Sequence, residues 1–183
     1  MKLRPVLLAV FCALGLTACV PATPPSGLHK QVDLARYSGR WYIIANIPYF
    51  AERGNVASWF DVTINGDRGI DRYVARERDF AGKEFTFDMK FYVVPGTGNA
   101  YWRETPLWPI YLSYLIHYVD ADYRTALVGY PGGSYGWIMA RTPELPEVEY
   151  QALLARFGAL GYDTTSFRKV PQTPGQIGKP GFQ

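Results

Sequence analysis

The chain has 183 residues, enough for one domain, and its 48% hydrophobic and 16% aromatic content can supply a sizeable core. It carries 19 Lys and Arg against 16 Asp and Glu, and setting aside Lys2 and Arg4 at the N-terminus leaves 17 basic residues against 16 acidic ones. This near balance, with no basic run, argues against a nucleic-acid partner.

The first 18 residues have the pattern of a secretory signal. Lys2 and Arg4 form a basic head, and the apolar run 5–18 is too short to span a bilayer and ends in small residues. We therefore expect residues 1–18 to be a signal peptide that is absent from the mature protein.

The chain has only two cysteines, Cys12 and Cys19. Cys12 would leave with the signal, so the mature chain has no thiol to spare for a disulfide, a thiolate metal site or a nucleophile. The segment "LTAC" (16–19) resembles a bacterial lipobox, which implies that Cys19 carries lipid and becomes the new N-terminus. Val20, rather than Asp, follows it, and by resemblance to Gram-negative lipoproteins this implies the outer membrane. The alternative is an ordinary signal cleaved nearby, with Cys19 incidental.

Two segments rich in Pro and Gly flank the remaining chain. Residues 19–31 are predicted to form a lipidated, extended tether, and residues 171–183 a disordered tail. A compact domain is expected between them, at 32–170.

Short runs of β-forming residues, separated by turn residues, fill most of this domain. The run 84–94 alternates most cleanly, with Phe85, Phe87, Met89 and Phe91 on one face and charged or polar residues on the other. The predicted strands are 39–45, 56–64, 70–80, 84–94, 99–105, 110–120, 125–130 and 135–142.

The pattern changes after the eighth strand. Apolar residues at helical spacing predict a helix over about 146–160, and 166–170 is predicted as a short final strand. Eight sequential antiparallel strands and one trailing helix indicate an all-β fold, an eight-stranded up-and-down barrel with the helix packed outside. Such a barrel can hold one small ligand. A β-sandwich is the alternative, but the meander order and the helix favour the barrel.

Three short motifs occur in chain order: Gly39-x-Trp41 at the start of the first strand, Asp120 and Tyr123 in the turn "DADYR" (120–124), and Arg141 near the end of the eighth strand. They resemble the signatures of the lipocalin family, specifically its bacterial outer-membrane lipoproteins. The loop "AERG" (51–54) also resembles the bacterial branch. The resemblance implies a structural role for these residues, with Trp41 at the closed end of the barrel and Arg141 across its indole.

Strand alternation gives candidate cavity residues. If Trp41 faces inward, so should Ile43 and Ala45, whereas the phase of strand 110–120 is ambiguous and we favour the face of Tyr114, Ile116 and Tyr118 over that of His117. The predicted ligand-binding side chains are mainly aromatic: Ile43, Phe60, Tyr73, Phe85, Phe87, Met89, Phe91, Tyr114, Tyr118, Tyr135, Trp137 and Met139.

The sequence offers few groups for catalysis. His117 could ligate haem or act as a base, although a packed or hydrogen-bonded histidine is the simpler interpretation, and no second histidine or cysteine completes a metal set in the domain. The carboxylates look scattered, with no pair that indicates acid–base work. We therefore expect no metal, cofactor or catalytic residue. A lipocalin-type enzyme acting through His117 or a Tyr, and an envelope-stability protein with an incidental cavity, are the alternatives.

The expected function is that of a membrane-anchored binding protein. Its partners would be a small hydrophobic ligand, such as a fatty acid or lysophospholipid, and the membrane itself, through lipid on Cys19. The apolar segment 104–114 contains Leu107, Trp108 and Ile110, which could contact the membrane or a second subunit in a homodimer, or could fold over one barrel end.

Overall fold

A computed structural model describes residues 24–183; the expected signal peptide, Cys19 and the first part of the tether lie outside the described residues. The strands match the predicted ones closely in number and position. They are β1 Gly39–Asn46, β2 Asn55–Asn65, β3 Arg68–Glu77, β4 Glu84–Val93, β5 Tyr101–Leu107, β6 Ile110–Val119, β7 Thr125–Gly129, β8 Gly136–Ala140 and the short β9 Arg168–Lys169.

The strands form a closed antiparallel barrel. Each strand from β2 to β8 pairs with the next, β8 pairs with β1, and β1 pairs back with β2, so the sheet has no open edge among the eight. The predicted up-and-down barrel is confirmed. The β2–β3, β4–β5 and β6–β7 turns lie at one end, called here the closed end, and the other four loops lie at the open end.

Bulges correct the inward-facing pattern predicted for two strands. A bulge between Ile43 and Ala45 in β1 sends Ala45 outward, so that Ala45 packs with the outer cluster. A second bulge between Ile116 and Tyr118 in β6 likewise sends Tyr118 outward, while Tyr114 and Ile116 stay inside. Each bulge adds one residue to its strand, so the residues beyond it point to the opposite face from the one that strict alternation predicts.

Two helices pack on this barrel. The short α1, Leu34–Tyr37, was not predicted; Asp33 caps it, and it brings Tyr37 into the closed end. The predicted outer helix is α2, Glu147–Ala159, which buries Leu153 and Phe157 against the outside of β7 and β8.

Both flanking segments differ from the sequence expectation, because backbone groups near the bulges hold them. The tail, expected to be disordered, packs on the barrel, where the Gln172 side-chain amide donates to the carbonyls of Ile43 and Ser58. The last part of the expected tether runs along β6, where the His29 amide donates to the Ile116 carbonyl. Pro and Gly content predicted weak intrinsic structure, but not these tertiary hydrogen bonds.

Candidate functional site

The barrel contains a cavity of about 300 Å³, at the lower end of the range for small-molecule sites. It lies between a floor of packed rings and the loops of the open end. Seven of the predicted side chains line it: Phe60, Tyr73, Phe87, Met89, Tyr114, Tyr135 and Trp137.

The other five predicted residues lie elsewhere. Ile43 and Met139 are fully buried in the core, and Phe91 is also a core residue that contributes to the floor. Phe85 packs beside Tyr73, with ring centroids 5.9 Å apart. Tyr118 lies outside the barrel, where the Arg156 guanidinium of α2 covers its ring.

Three parallel rings form the floor of the cavity. Trp102 stacks on Phe91 at a centroid distance of 4.3 Å and on Tyr114 at 4.9 Å. The Tyr114 hydroxyl shares a hydrogen bond of 2.9 Å with the Tyr37 hydroxyl. The floor is therefore rigid and largely apolar, and its two buried hydroxyls bond to each other.

Sequence reasoning missed three carboxyl groups in the cavity wall, those of Glu52, Asp71 and Glu104. Strand alternation could have shown that two of them face inward, because Asp71 lies two residues before the inward Tyr73 and Glu104 lies two residues after the inward Trp102. Compared strand by strand, the acids looked scattered; the barrel brings them together.

Asp71 and Glu104 form a buried pair. Within the described chain, no other residue donates a hydrogen bond to either oxygen of Asp71 or to Oε1 of Glu104. Burial is the main cause that raises the pKa of Glu104 to about 7, and burial together with the Glu104 charge raises the pKa of Asp71 well above its usual range. Near neutral pH the pair therefore retains a proton, and Asp71 can donate it to Glu104.

Glu52 is held quite differently. Its carboxylate accepts a hydrogen bond of 2.7 Å from the Asn46 side-chain amide and one of 3.0 Å from the Trp137 indole N–H. Burial nevertheless raises the pKa of Glu52 to about 8. Glu52 thus fastens the loop between β1 and β2 to β8, across the cavity wall.

Aromatic side chains surround the mouth. Tyr49 and Phe50 come from the β1–β2 loop, Tyr130 and Tyr135 from the segment between β7 and β8, and Tyr49 packs edge-on against both Phe50 and Tyr135. The lining residues that were not predicted, besides the three acids, are Tyr49, Phe50, Leu112, Ser113 and Tyr130.

The residues of the family-like motifs lie at the closed end, away from this cavity. The Arg141 guanidinium carbon lies 3.7 Å from the Trp41 ring centroid, and its nitrogens donate to backbone carbonyls, among them those of Arg36 and Arg40. Gly39 has φ +99°, which favours glycine, and a Cβ there would lie 3.4 Å from Arg141 Nη1.

Asp120 and Tyr123 complete the closed end. The Asp120 carboxylate accepts a hydrogen bond of 2.7 Å from the Thr125 amide, so it holds the β6–β7 turn. The Tyr123 hydroxyl accepts one of 2.7 Å from the Asp33 amide, and the Arg36 guanidinium covers its ring. These contacts tie α1 to the barrel.

His117 lies outside the cavity, so it is not placed to act on a ligand there. Its Nδ1 lies 2.8 Å from the Gly27 carbonyl oxygen and its Nε2 lies 2.9 Å from the Tyr162 hydroxyl. Burial lowers the pKa of His117. Across residues 24–183, no group of three or more His, Cys, Asp and Glu side chains could hold a metal ion. Within the same residues, no helix is long and apolar enough to span a membrane.

A closed eight-stranded barrel with an internal apolar cavity and one outer helix defines a class of β-barrel proteins that can hold a ligand inside. A family model described as "Lipocalin-like domain" matches residues 32–172. The chain belongs to the lipocalin family.

Similarity to two individual proteins supports this assignment. The chain is 32% identical to temperature-induced lipocalin-1 of Arabidopsis thaliana, over 79% of this chain and 81% of that one. It is 30% identical to the outer membrane lipoprotein Blc of Escherichia coli K12, over 94% and 98%.

Solved structures share the fold at low identity. Insecticyanin of Manduca sexta has a TM-score of 0.65 at 15% identity, covering 83% of this chain and 87% of that one. Lobster apocrustacyanin A1 has a TM-score of 0.60 at 19% identity, covering 76% and 79%.

Proposed function

We propose that the protein is a membrane-anchored lipocalin that stores or transports a small amphiphile, with the apolar part of the ligand inside the barrel. The observation that carries this proposal is the cavity of about 300 Å³, whose exposed lining is mostly apolar. Burial of an acyl chain there would contribute about 25 cal/mol per Å² of apolar surface. A barrel filled by Trp and Phe side chains would instead have favoured a purely structural role.

A fatty acid and a lysophospholipid are the first ligands to test. Among the described residues, no Lys, Arg or His lines the cavity. A carboxylate or phosphate would therefore remain at the mouth, in water, while the acyl chain enters.

Quenching of tryptophan fluorescence can measure this binding, because Trp137 lines the cavity and Trp102 stacks on the lining residue Tyr114. We expect saturable binding of C12–C16 amphiphiles by delipidated protein. Leu112→Trp should weaken this binding at least tenfold by filling the cavity. Val148→Trp, at a position that is 80% exposed on α2, is the matched control and should not weaken it. If no amphiphile binds with saturation, and none is extracted from the purified protein, the proposal fails.

Lipid on Cys19 is the proposed anchor, and it would place the protein at the outer membrane. The supporting observations are the lipobox-like segment "LTAC" (16–19) and the match to an outer membrane lipoprotein, Blc of Escherichia coli. Mass spectrometry of the mature N-terminus should find an acylated Cys19, and Cys19→Ser should release the protein from membranes. An unmodified N-terminus would exclude the anchor.

The hairpin tip between β5 and β6 lies at the open end of the barrel, beside the mouth of the cavity. Leu107 is 71% exposed and Trp108 is 76% exposed, so the tip projects outward instead of folding over the barrel end. We propose that this tip contacts the bilayer near the mouth. The alternative is that it contacts a second subunit, in which case the protein would form a dimer in solution without lipid.

A further inference from the structure

We propose that the cavity selects an amphiphile with a cationic, proton-donating nitrogen, such as a long-chain amine, which binds with the nitrogen inward against Asp71 and Glu104. This inference rests on the proposed function, because it names the chemistry of the ligand that the same cavity would hold. It reverses the orientation expected for a fatty acid.

Both carboxyl groups lie deep in the barrel. In the sheet, Asp71 pairs with Met89 and Glu104 pairs with Phe91, so the two acids flank β4 on either side. Phe91 is also part of the ring stack of the floor. The acids therefore lie close to the floor, where the inner end of an elongated ligand would reach.

Apart from the proton that Asp71 can share with Glu104, the two acids are buried without donors. Asp71 is 0% and Glu104 is 4% exposed, and no other residue among 24–183 donates a hydrogen bond to the oxygens of Asp71 or to Oε1 of Glu104. Leaving buried acceptors of this kind unpaired is costly in free energy. The Tyr37 and Tyr114 hydroxyls share one hydrogen bond, and neither lies within hydrogen-bond distance of the unpartnered oxygens of Asp71 or Glu104.

Within the described chain, no Lys, Arg or His lines the cavity to compensate for the pair. Arg141, at the closed end, donates to the carbonyls of Arg36, Tyr37, Ser38, Arg40 and Tyr123, with Trp41 against its guanidinium. The missing donor must therefore come from what enters the cavity.

Glu52 provides an internal contrast within the same cavity. Its carboxylate accepts bonds from Asn46 and Trp137, so it already has partners in the protein. In contrast, the Asp71–Glu104 pair has oxygens that no other residue of the described chain contacts with a donor, and a pair that shares one proton keeps one negative charge. An ammonium group offers three N–H donors and a positive charge, whereas a carboxylate or phosphate would be repelled.

Three ligands of equal chain length test this inference on the unmodified protein at pH 7: dodecylamine, dodecanol and dodecanoate. Each is used at a concentration at which it is dissolved as a monomer. We expect dodecylamine to bind at least tenfold more tightly than dodecanoate, with dodecanol between them. Asp71→Asn/Glu104→Gln should reduce the preference for amine over carboxylate to less than threefold while dodecanol still binds. Asp67→Asn/Glu77→Gln removes the same charge from exposed positions and should keep the preference.

The outcomes separate the two proposals. If dodecanoate binds as tightly as dodecylamine, or more tightly, the inference is overturned and the proposed function stands. If none of the three ligands binds, the proposed function itself fails. The comparison on unmodified protein decides between these results even if the double variant does not fold.

Discussion

Buried polar groups at the closed end of the barrel are hydrogen-bonded by the protein, whereas two acids in the cavity lack donors from other residues. At the closed end, Arg141 donates five hydrogen bonds to backbone carbonyls and stacks on Trp41, whose indole N–H donates to the Tyr37 carbonyl. In the cavity, Asp71 and Glu104 have acceptor oxygens without donors. Satisfied polar groups stabilise a fold, and unsatisfied ones destabilise it. The closed end therefore contributes stability, while the cavity leaves interactions open for a ligand.

Removal of the closed-end tryptophan should have the largest effect on stability. Trp41 is fully buried, so we expect Trp41→Ala to lower the free energy of unfolding by about 3–5 kcal/mol, because it leaves a large void and an unsupported guanidinium. Urea unfolding measures this. The same substitution at the exposed Trp108 is the control and should change it by less than about 0.5 kcal/mol. Similar losses at both positions would contradict the assigned role of the closed end.

The carboxyl pair should make stability depend on pH. Its folded-state pKa values are raised, so the folded protein holds protons that the unfolded chain has lost, and stability falls as pH rises from about 4.5 to about 7. For Glu104 this amounts to about 3 kcal/mol, at 1.36 kcal/mol per pKa unit.

Glu104→Gln should remove much of this slope and make the protein more stable than the unmodified protein at pH 7.5. Unfolding free energies at pH 5 and pH 7.5 give the comparison, and Glu77→Gln, at an exposed position, is the control. Three other titratable side chains lie near this site, those of Glu52, Tyr37 and Tyr114. The unmodified protein and the Glu104→Gln variant both contain them, so they do not account for a difference in slope between the two. An unchanged slope would show that the pair is ionised and satisfied in the folded protein.

The tail contacts should have a smaller effect. Gln172→Ala removes a donor from the Ile43 and Ser58 carbonyls, and we expect a loss of about 1–2 kcal/mol and faster amide exchange in residues near the β1 bulge. Gln151→Ala, on the exposed side of α2, is the control. Unchanged exchange in Gln172→Ala would indicate a tail that is not held by these bonds.

The hairpin tip should have the smallest effect on stability and a clear one on membrane binding. Trp108→Ser should leave unfolding unchanged and weaken binding of the protein without its lipid to phosphatidylethanolamine–phosphatidylglycerol vesicles by about tenfold, because an interfacial indole is lost. Co-sedimentation measures binding, and Val148→Ser on α2 is the control. Equal binding of both variants would exclude the tip as a membrane contact.

The regular parts of the barrel could be predicted because their side chains alternate. In β4, Phe85, Phe87, Met89 and Phe91 face inward as expected, and so do the predicted Trp137 and Met139 in β8. Prediction failed where a bulge inserted one residue, as at Ala45 and Tyr118. A bulge has no strong sequence signal in these strands, so local periodicity continued through it.

The sequence by itself determined the number and order of the strands, the closure of the barrel and the position of the outer helix, because hydrophobic alternation and turn residues act locally. Only the tertiary structure decided which acids meet, since Asp71 and Glu104 lie on different strands and approach each other across β4 when the sheet curves. It also decided that the tail is ordered and that His117 lies outside. These features depend on contacts between residues far apart in the chain, which no local pattern records.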